Sequence, residues 1–229
     1  MSKITCFLPC RQGSQRVPNK NIKPFSGYDW GLIEIKLKQL EATELVDEIV
    51  LTTNDAKILD YGDSLSLSKL RLHKRSENLS SNETSTDQLV THALELIPQG
   101  DILWTHVTSP FITESYYDDI IRTFLEKRES GYDSLMTVNE LYGFLWQNGK
   151  PINYDRHKEK WPRTQTLDAI NEVNSGAFLA SSDIYRKLND RIGKSPYLYV
   201  LNKLIGYDID WPEDFVIAEC MVEKGLVDL

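Results

Sequence analysis

Apolar residues fall along this chain in two alternating rhythms. Short, little-interrupted runs at Lys3 to Leu8, Val46 to Thr53, Asp101 to Val107, Tyr132 to Val138 and Ser175 to Ala180 read as strands. Between them the apolar positions take a helical spacing. Trp30 to Thr43 places Leu32, Ile33, Leu37 and Leu40 on one face, and Leu89 to Leu96, Glu114 to Lys127 and Ser182 to about Leu188 follow the same rule. Asp55 is a candidate cap for a helix running to about Leu70, with a weak strand at Arg71 to His73. A last helix, Glu213 to Lys224, stops before Gly225. Strand and helix in alternation predict an α/β fold of three layers, a mostly parallel sheet with helices on both faces.

Two segments break the rhythm. Residues 10–28 are rich in Gly, Pro, Asn and Ser and read as a long loop. Residues 139–172 are polar, carry Gly143, Gly149, Pro151 and Pro162, and hold Trp146 and Trp161 outside any apolar period. They read as an arm inserted into a single domain spanning residues 1–229, and aromatics on such an arm point to a partner surface. In an open parallel sheet, ligands bind beyond the carboxyl ends of the strands. Arg11 to Asn21, Thr53 to Asp55, Thr108–Ser109 and Asp208 to Asp210 are expected there together.

Charge sharpens the picture. With 26 Lys and Arg against 34 Asp and Glu, the chain carries −8, so binding to nucleic acid or to an anionic membrane is not expected. The first 28 residues nevertheless hold Lys3, Arg11, Arg16, Lys20 and Lys23 and no acid. A basic loop on an acidic protein points to a pocket for a compact anion. Apolar residues make up 41% of the chain, which excludes a disordered chain, and no run is long enough to span a membrane. The start lacks the apolar length of a secretory signal, and Cys6, Cys10 and Cys220 form no C-x-x-C pair. A reducing cytoplasm is the expected setting.

Two segments carry chemistry. In Arg11-Gln12-Gly13-Ser14-Gln15-Arg16-Val17-Pro18-Asn19-Lys20-Asn21, Gly13 allows close backbone approach, and Arg11, Arg16 and Lys20 supply donors for phosphate oxygens. The spacing is neither that of a Walker loop nor that of a dinucleotide fingerprint. In Tyr207-Asp208-Ile209-Asp210-Trp211-Pro212-Glu213-Asp214, carboxylates at i and i+2 of an extended chain share a side and suit Mg²⁺. Acids at a helix start are the competing explanation, and it fits Glu213 and Asp214 better than Asp208 and Asp210.

Both segments resemble signatures of the sugar-acid cytidylyltransferases. The first is similar to R-x-G-S-K-R-[IL]-P-x-K-N, the second to D-[IV]-D-x-x-x-D-[FL]-x-x-A-E, completed by Ala218 and Glu219. Three further matches follow in order. They are Arg75 to Leu79 with Thr84 to Asp87, then Thr108-Ser109-Pro110, then Arg163-Thr164-Gln165 with Asn174 to Ala177. The resemblance spans nearly the whole chain and is nearest to the acylneuraminate type. It departs at Gln15, where the family usually has Lys, and at His106-Val107, where it has Gln-Pro.

The resemblance implies a nucleotide-diphospho-sugar transferase-like fold and transfer of CMP from CTP to a 2-keto sugar acid, with release of pyrophosphate. It implies that Arg11, Gly13, Ser14, Gln15, Arg16, Lys20 and Asn21 meet the triphosphate, and that Arg75, Ser85 and Thr86 hold base and ribose. It places the sugar against His106, Thr108, Ser109, Arg163 and Gln165, and Mg²⁺ on Asp208 and Asp210. Arg11, Arg16, Lys20, Asp208 and Asp210 are the residues expected to act on the reacting phosphates. The arm at 139–172 is expected to build a homodimer, so Arg163 serves the partner's site. A glycosyltransferase and a non-catalytic nucleotide-binding paralogue are the competing readings, the second motivated by Gln15 and His106.

Overall fold

The computed structural model describes residues 2–229. Among these residues seven strands form one sheet: β1 (Ile4–Pro9), β2 (Glu48–Thr53), β3 (Leu70–Lys74), β4 (Asp101–Trp104), β5 (Ser134–Leu141), a strand at Ile170–Ser181 and one at Pro196–Leu201. A two-stranded hairpin, β6 (Trp146–Gln147) and β7 (Lys150–Pro151), stands apart, so the last two sheet strands are β8 and β9. The sheet order is β3-β2-β1-β4-β8-β5-β9. Only β8 runs against its neighbours; every other pairing is parallel. Among the described residues six helices surround the sheet: α1 (Gly31–Ala42), α2 (Ala56–Ser64), α3 (Thr86–Leu96), α4 (Glu114–Glu129), α5 (Ser182–Leu188) and α6 (Pro212–Glu223).

The strands are apolar on both sides because both faces are covered. Ile4, Cys6 and Leu8 of β1, Ile49 and Leu51 of β2 and Leu103 of β4 point into a core closed by α1, α2, α4 and α6. Phe7, Val50, Ile102 and Trp104, the alternate positions, point into a second core closed by α3 and α5. The three-layer reading holds. Among the described residues no helix is long and apolar enough to cross a membrane.

Boundaries moved where local signals compete. Asp55 does cap α2, accepting from the Lys57 N–H at 3.0 Å, but the helix ends at Ser64 rather than near Leu70. Strand β4 ends at Trp104, and Thr105 onward turns away as a loop. The arm is shorter than residues 139–172, because β5 runs on to Leu141 and β8 begins at Ile170. Strand β9 was not foreseen. It lies at the sheet edge and is only partly buried, so Tyr-Leu-Tyr-Val carries no strong apolar run.

One irregularity shapes the site. On β5, Met136 pairs with Phe178 but Val138 pairs with Val173, so residues 174–177 leave the ladder opposite Thr137. Such bulges re-aim side chains at sheet edges. Gly176 is required there: an added Cβ would stand 2.5 Å from the Ile112 Cδ1 atom and 2.8 Å from the Thr137 hydroxyl.

Candidate active site

The carboxyl ends of β1 and β4 open onto one cleft, and the end of β2 stays behind it, with Asn54 holding the Gln12 N–H. The reversed strand β8 reaches the same edge with its first half, so Ser175 joins it. The cleft measures about 360 Å³ and is lined by Arg11, Ser14, Gln15, Arg16, Lys20 and Asn21 from the basic loop. His106, Val107 and Thr108 come from the β4 loop, and Asp208 and Asp210 from the segment before α6. Two motifs almost 190 residues apart in sequence therefore face each other across one opening.

The basic loop is shaped by its own backbone. Gly13 has φ +82°, a left-handed conformation that side chains disfavour, and Asn19 takes φ +54°. Val17 is buried as an anchor. The Asn21 side-chain amide donates to the Arg11 carbonyl at 3.0 Å and closes the loop on itself. The Gln12 N–H donates to Asn54 at 2.9 Å, and the Arg11 guanidinium donates to Asn82 at 2.6 Å. Asn54 belongs to the Thr53 to Asp55 stretch expected here, whereas Asn82 is a latch that sequence reasoning missed, since a single Asn in a loop carries no pattern.

Asp210 is where the two motifs touch. Its carboxylate lies 3.2 Å from Arg16 and 3.3 Å from the Lys20 ammonium. Lys20 is buried and also donates to the Ile209 carbonyl at 2.7 Å. The Arg16 guanidinium sits 4.9 Å over the Trp211 ring. The Arg16–Asp210 pair is exposed on both sides, which limits it to about 0–1 kcal/mol, so an incoming polyanion can displace it.

Asp208 is different. Its Oδ1 is buried with no hydrogen-bond partner among the described residues. Burial pushes its carboxyl pKa up, and the negative Asp210 adds to this, while the Thr108 hydroxyl and Lys20 oppose it. Asp214 takes the role of helix cap, accepting from the Asp210 and Trp211 N–H groups at 2.9 and 2.7 Å, and these bonds hold its carboxyl below the usual range against burial. The competing explanation of acids at a helix start thus holds for Asp214 and not for Asp208.

His106 accepts a hydrogen bond at Nε2 from the Trp104 indole N–H at 3.0 Å. An indole N–H only donates, so Nε2 must be the unprotonated nitrogen and Nδ1 carries the proton. Burial, with help from Arg191 and Lys20, pushes the pKa down to about 3. His106 is therefore a neutral donor at the cleft and not a base.

Several expected residues lie outside this cleft. The Ser85 hydroxyl accepts from the Gln88 N–H and caps α3, with Thr86 exposed beside it. Ser109 is buried, with its carbonyl turned into the core. Arg163 and Gln165 sit exposed on the arm. Gly13 lines a small adjoining crevice with Arg11 and Asn21. Arg75 is buried, donates to Ser80 at 3.1 Å and has no carboxylate within 4 Å among the described residues. An unpaired buried guanidinium beside the basic loop is an anion-seeking group.

A second cleft of about 440 Å³ shares Ser175, Asp208 and Asp210 with the first and adds Asn139, Glu172, Asn174, Lys203 and Tyr207. Lys203, absent from the sequence-derived set, forms no ion pair among the described residues. The site is thus two compartments joined at the Asp208–Asp210 segment.

A family model described as cytidylyltransferase matches residues 5–219. The chain belongs to the cytidylyltransferase family. This cytidylyltransferase is 29% identical over 227 residues to the pseudaminic acid cytidylyltransferase of Campylobacter jejuni serotype O:2, covering 96% of both chains. It is 26% identical to the N-acylneuraminate cytidylyltransferase of Oncorhynchus mykiss, covering 91% of this chain and 49% of that protein. Its fold is similar to a CMP:2-keto-3-deoxy-manno-octonic acid synthetase solved with CTP, at TM-score 0.68 and 13% identity, covering 98% of this chain and 100% of that one. A 4-diphosphocytidyl-2C-methyl-D-erythritol synthase from Anaerococcus prevotii gives 0.66 at 15% identity, covering 97% and 96%.

Proposed function

We propose that this cytidylyltransferase joins CMP from CTP to a nine-carbon 2-keto sugar acid and releases pyrophosphate. The observation that carries the reading is the pair of joined clefts, one walled by Arg11, Arg16 and Lys20, with Asp208 and Asp210 at the junction. In the reaction the anomeric 2-hydroxyl oxygen bonds to the α-phosphorus, the bond to the β-phosphate oxygen breaks, and the hydroxyl proton leaves. Such transfers depend on positioning and charge neutralisation more than on covalent chemistry. Arg11, Ser14, Arg16 and Lys20, with Gln15 and Asn21 beside them, receive the triphosphate, and Arg75 stands behind them as a further cation.

The chemistry also calls for Mg²⁺. The orphaned Asp208 oxygen and the adjacent Asp210 fit it, because a hard cation takes carboxylate oxygen. Among the described residues no third His, Cys, Asp or Glu joins them, so phosphate oxygens and water would have to supply the remaining ligands. When bound there, Mg²⁺ neutralises phosphate charge and polarises the α-phosphate. His106 offers its Nδ1–H to the sugar as a fixed donor. Assembly as a homodimer in the cytoplasm belongs to the same proposal.

The deciding assay is pyrophosphate release from CTP with Mg²⁺ and a panel of eight- and nine-carbon 2-keto sugar acids. Release with one acid establishes reaction and substrate together. CTP binding without release across the panel favours the non-catalytic reading.

The arm completes the proposal. Phe144, Trp146, Tyr154 and Trp161 pack on one another with centroids 5.2–6.5 Å apart, and Arg156 lies 5.3–5.4 Å over the two indoles. The arm thus presents an aromatic cluster, its two indoles largely exposed, with Arg163 and Gln165 beyond it. Neither residue reaches this chain's own clefts, which supports service to a second copy. Arg163→Ala is expected to raise KM for the sugar acid about 10-fold or more while leaving KM for CTP unchanged, the effect of losing a bidentate carboxylate contact. At sugar-acid concentrations well below the wild-type KM, where Arg163→Ala is impaired and Asp210→Asn does not turn over, mixing the two proteins is expected to raise activity above that of either alone, through mixed dimers. No recovery after subunit exchange assigns Arg163 to its own chain.

A further inference from the structure

Lys36 is a lysine in the middle of a core helix. It is 0% exposed and is flanked on α1 by buried Leu32, Ile33, Ile35, Leu37 and Leu40. Its ammonium donates to the Ser109 carbonyl at 2.9 Å, the Ile112 carbonyl at 3.3 Å and the Tyr117 hydroxyl at 2.7 Å. No carboxylate lies within 4 Å among the described residues. The next turn adds Gln39, whose amide donates to the Pro110 carbonyl at 2.7 Å.

The directions of these bonds fix the number of protons. The Thr105 hydroxyl has one hydrogen, and the Gly176 carbonyl at 2.6 Å can only accept it. The Tyr117 hydroxyl, 2.7 Å from Thr105, must therefore donate to Thr105 and accept from Lys36. Two carbonyls and this oxygen need three N–H donors, which an ammonium has and a neutral amine lacks. The network reaches Thr105 at the end of β4, Ser109 and Ile112 in the loop that carries Thr108, and Gly176 beside Ser175. Thr108 in turn accepts from the Ile209 N–H at 2.9 Å, between Asp208 and Asp210.

We propose that Lys36 is a positioning residue whose buried ammonium fixes the 105–112 loop and, through Thr108, the Asp208–Asp210 segment. The proposal rests on the joined clefts being the active site. It assigns a task to a charge that costs stability to bury and has no counter-ion to offset that cost.

Titration follows from the geometry. Burial pushes the Lys36 pKa down to about 7, with Cys6 opposing. The groups that face it are Cys6 of β1 and Tyr117 of α4, both pushed up and neutral, and His106 of the loop, pushed down to about 3 and neutral. Loss of the proton leaves one acceptor bare, so the loop loosens as pH rises through about 7. Global stability moves the other way. Between about 7 and the unfolded value of about 10.4 the unfolded chain binds more protons, so stability attributable to Lys36 rises with pH.

The test compares wild type with Lys36→Met and Lys36→Gln between pH 6 and 9. Amide exchange at residues 107–112 is read together with CTP affinity by calorimetry, pyrophosphate release and thermal melting. The expected result is a 10- to 100-fold lower kcat/KM for either variant at pH 6.5, a deficit that closes above pH 8. Loop exchange in wild type is expected to accelerate through pH 7 beyond its intrinsic base dependence, and in the variants to lack this step. A variant with wild-type loop protection at pH 6.5, or a deficit constant across pH, overturns the proposal. If Lys36→Met does not fold, Lys36→Gln and the opposed wild-type trends of loop exchange and melting temperature decide it. A wrong sugar acid is distinguishable, since it abolishes turnover and leaves the exchange and CTP data intact.

Discussion

Asp208→Asn is expected to lower kcat about 10³-fold or more, equivalent to about 4 kcal/mol of transition-state stabilisation, while leaving the fold at least as stable at pH 7. The two halves of this expectation have one cause. A carboxylate oxygen buried without a partner is unfavourable for the folded chain unless a cation or proton meets it. Burial raises the folded pKa above the unfolded one, so the folded state keeps its proton to higher pH. Stability attributable to Asp208 is thus present below the unfolded value and lost as pH rises through the raised one. The amide keeps the shape and removes the charge, so the variant is expected to lack that fall. Melting temperature between pH 3 and 7 checks the first half. Mg²⁺-dependent pyrophosphate release and Mn²⁺ titration check the second. Activity within about 10-fold of wild type removes Asp208 from the phosphate machinery.

Much of the scaffold was legible because it rests on short-range rules. The strands buried on both faces announce themselves as runs, and α5 matches its sequence-derived bounds at Ser182 and Leu188. Asp55 and Asp214 cap helices as their positions suggest. What failed to show depends on tertiary context. Strand β9 is an edge strand whose alternation is blurred by partial exposure. The β8 bulge exists because Gly176, Thr137 and Asn174 meet across two strands, and no local pattern encodes that meeting.

The site divides in the same way. Contiguous motifs delivered Arg11, Ser14, Gln15, Arg16, Lys20, Asn21, Asp208 and Asp210 to one cleft. Ser85 carries two readings because Ser before a helix is equally a cap, and here its hydroxyl accepts from the Gln88 N–H outside the cleft. Lys203 and Glu172 were silent because they stand on separate elements and meet only in the fold. Lys36 was hidden inside a helical period, where a lysine ordinarily marks the solvent face. A charge on the buried face of a helix is the signal that was available in the sequence.

Lys20→Met is expected to lower kcat/KM for CTP by about 10²- to 10³-fold, the scale of removing a preorganised cation from developing phosphate charge. Lys20 has two connections that no other cation of the loop combines. It donates to the Ile209 backbone at 2.7 Å, which ties the basic loop to the acidic segment, and it approaches Asp210 at 3.3 Å. Methionine preserves the stem and removes both, leaving Asp210 to Arg16 alone. Lys20→Arg is not expected to rescue, since a planar guanidinium does not fit the buried space of a compact ammonium. The loss is expected to couple with Asp210. In the double variant Lys20→Met with Asp210→Asn, the combined loss in CTP affinity is expected to fall short of the sum, because removing the carboxylate relieves the repulsion that Lys20 had screened. Raising ionic strength is expected to weaken CTP binding in wild type more than in Lys20→Met, as screening acts on a charge the variant no longer has. A change in kcat/KM below about 5-fold with an unaltered salt response transfers the phosphate-binding role away from this loop and toward Arg75, the buried guanidinium beside it.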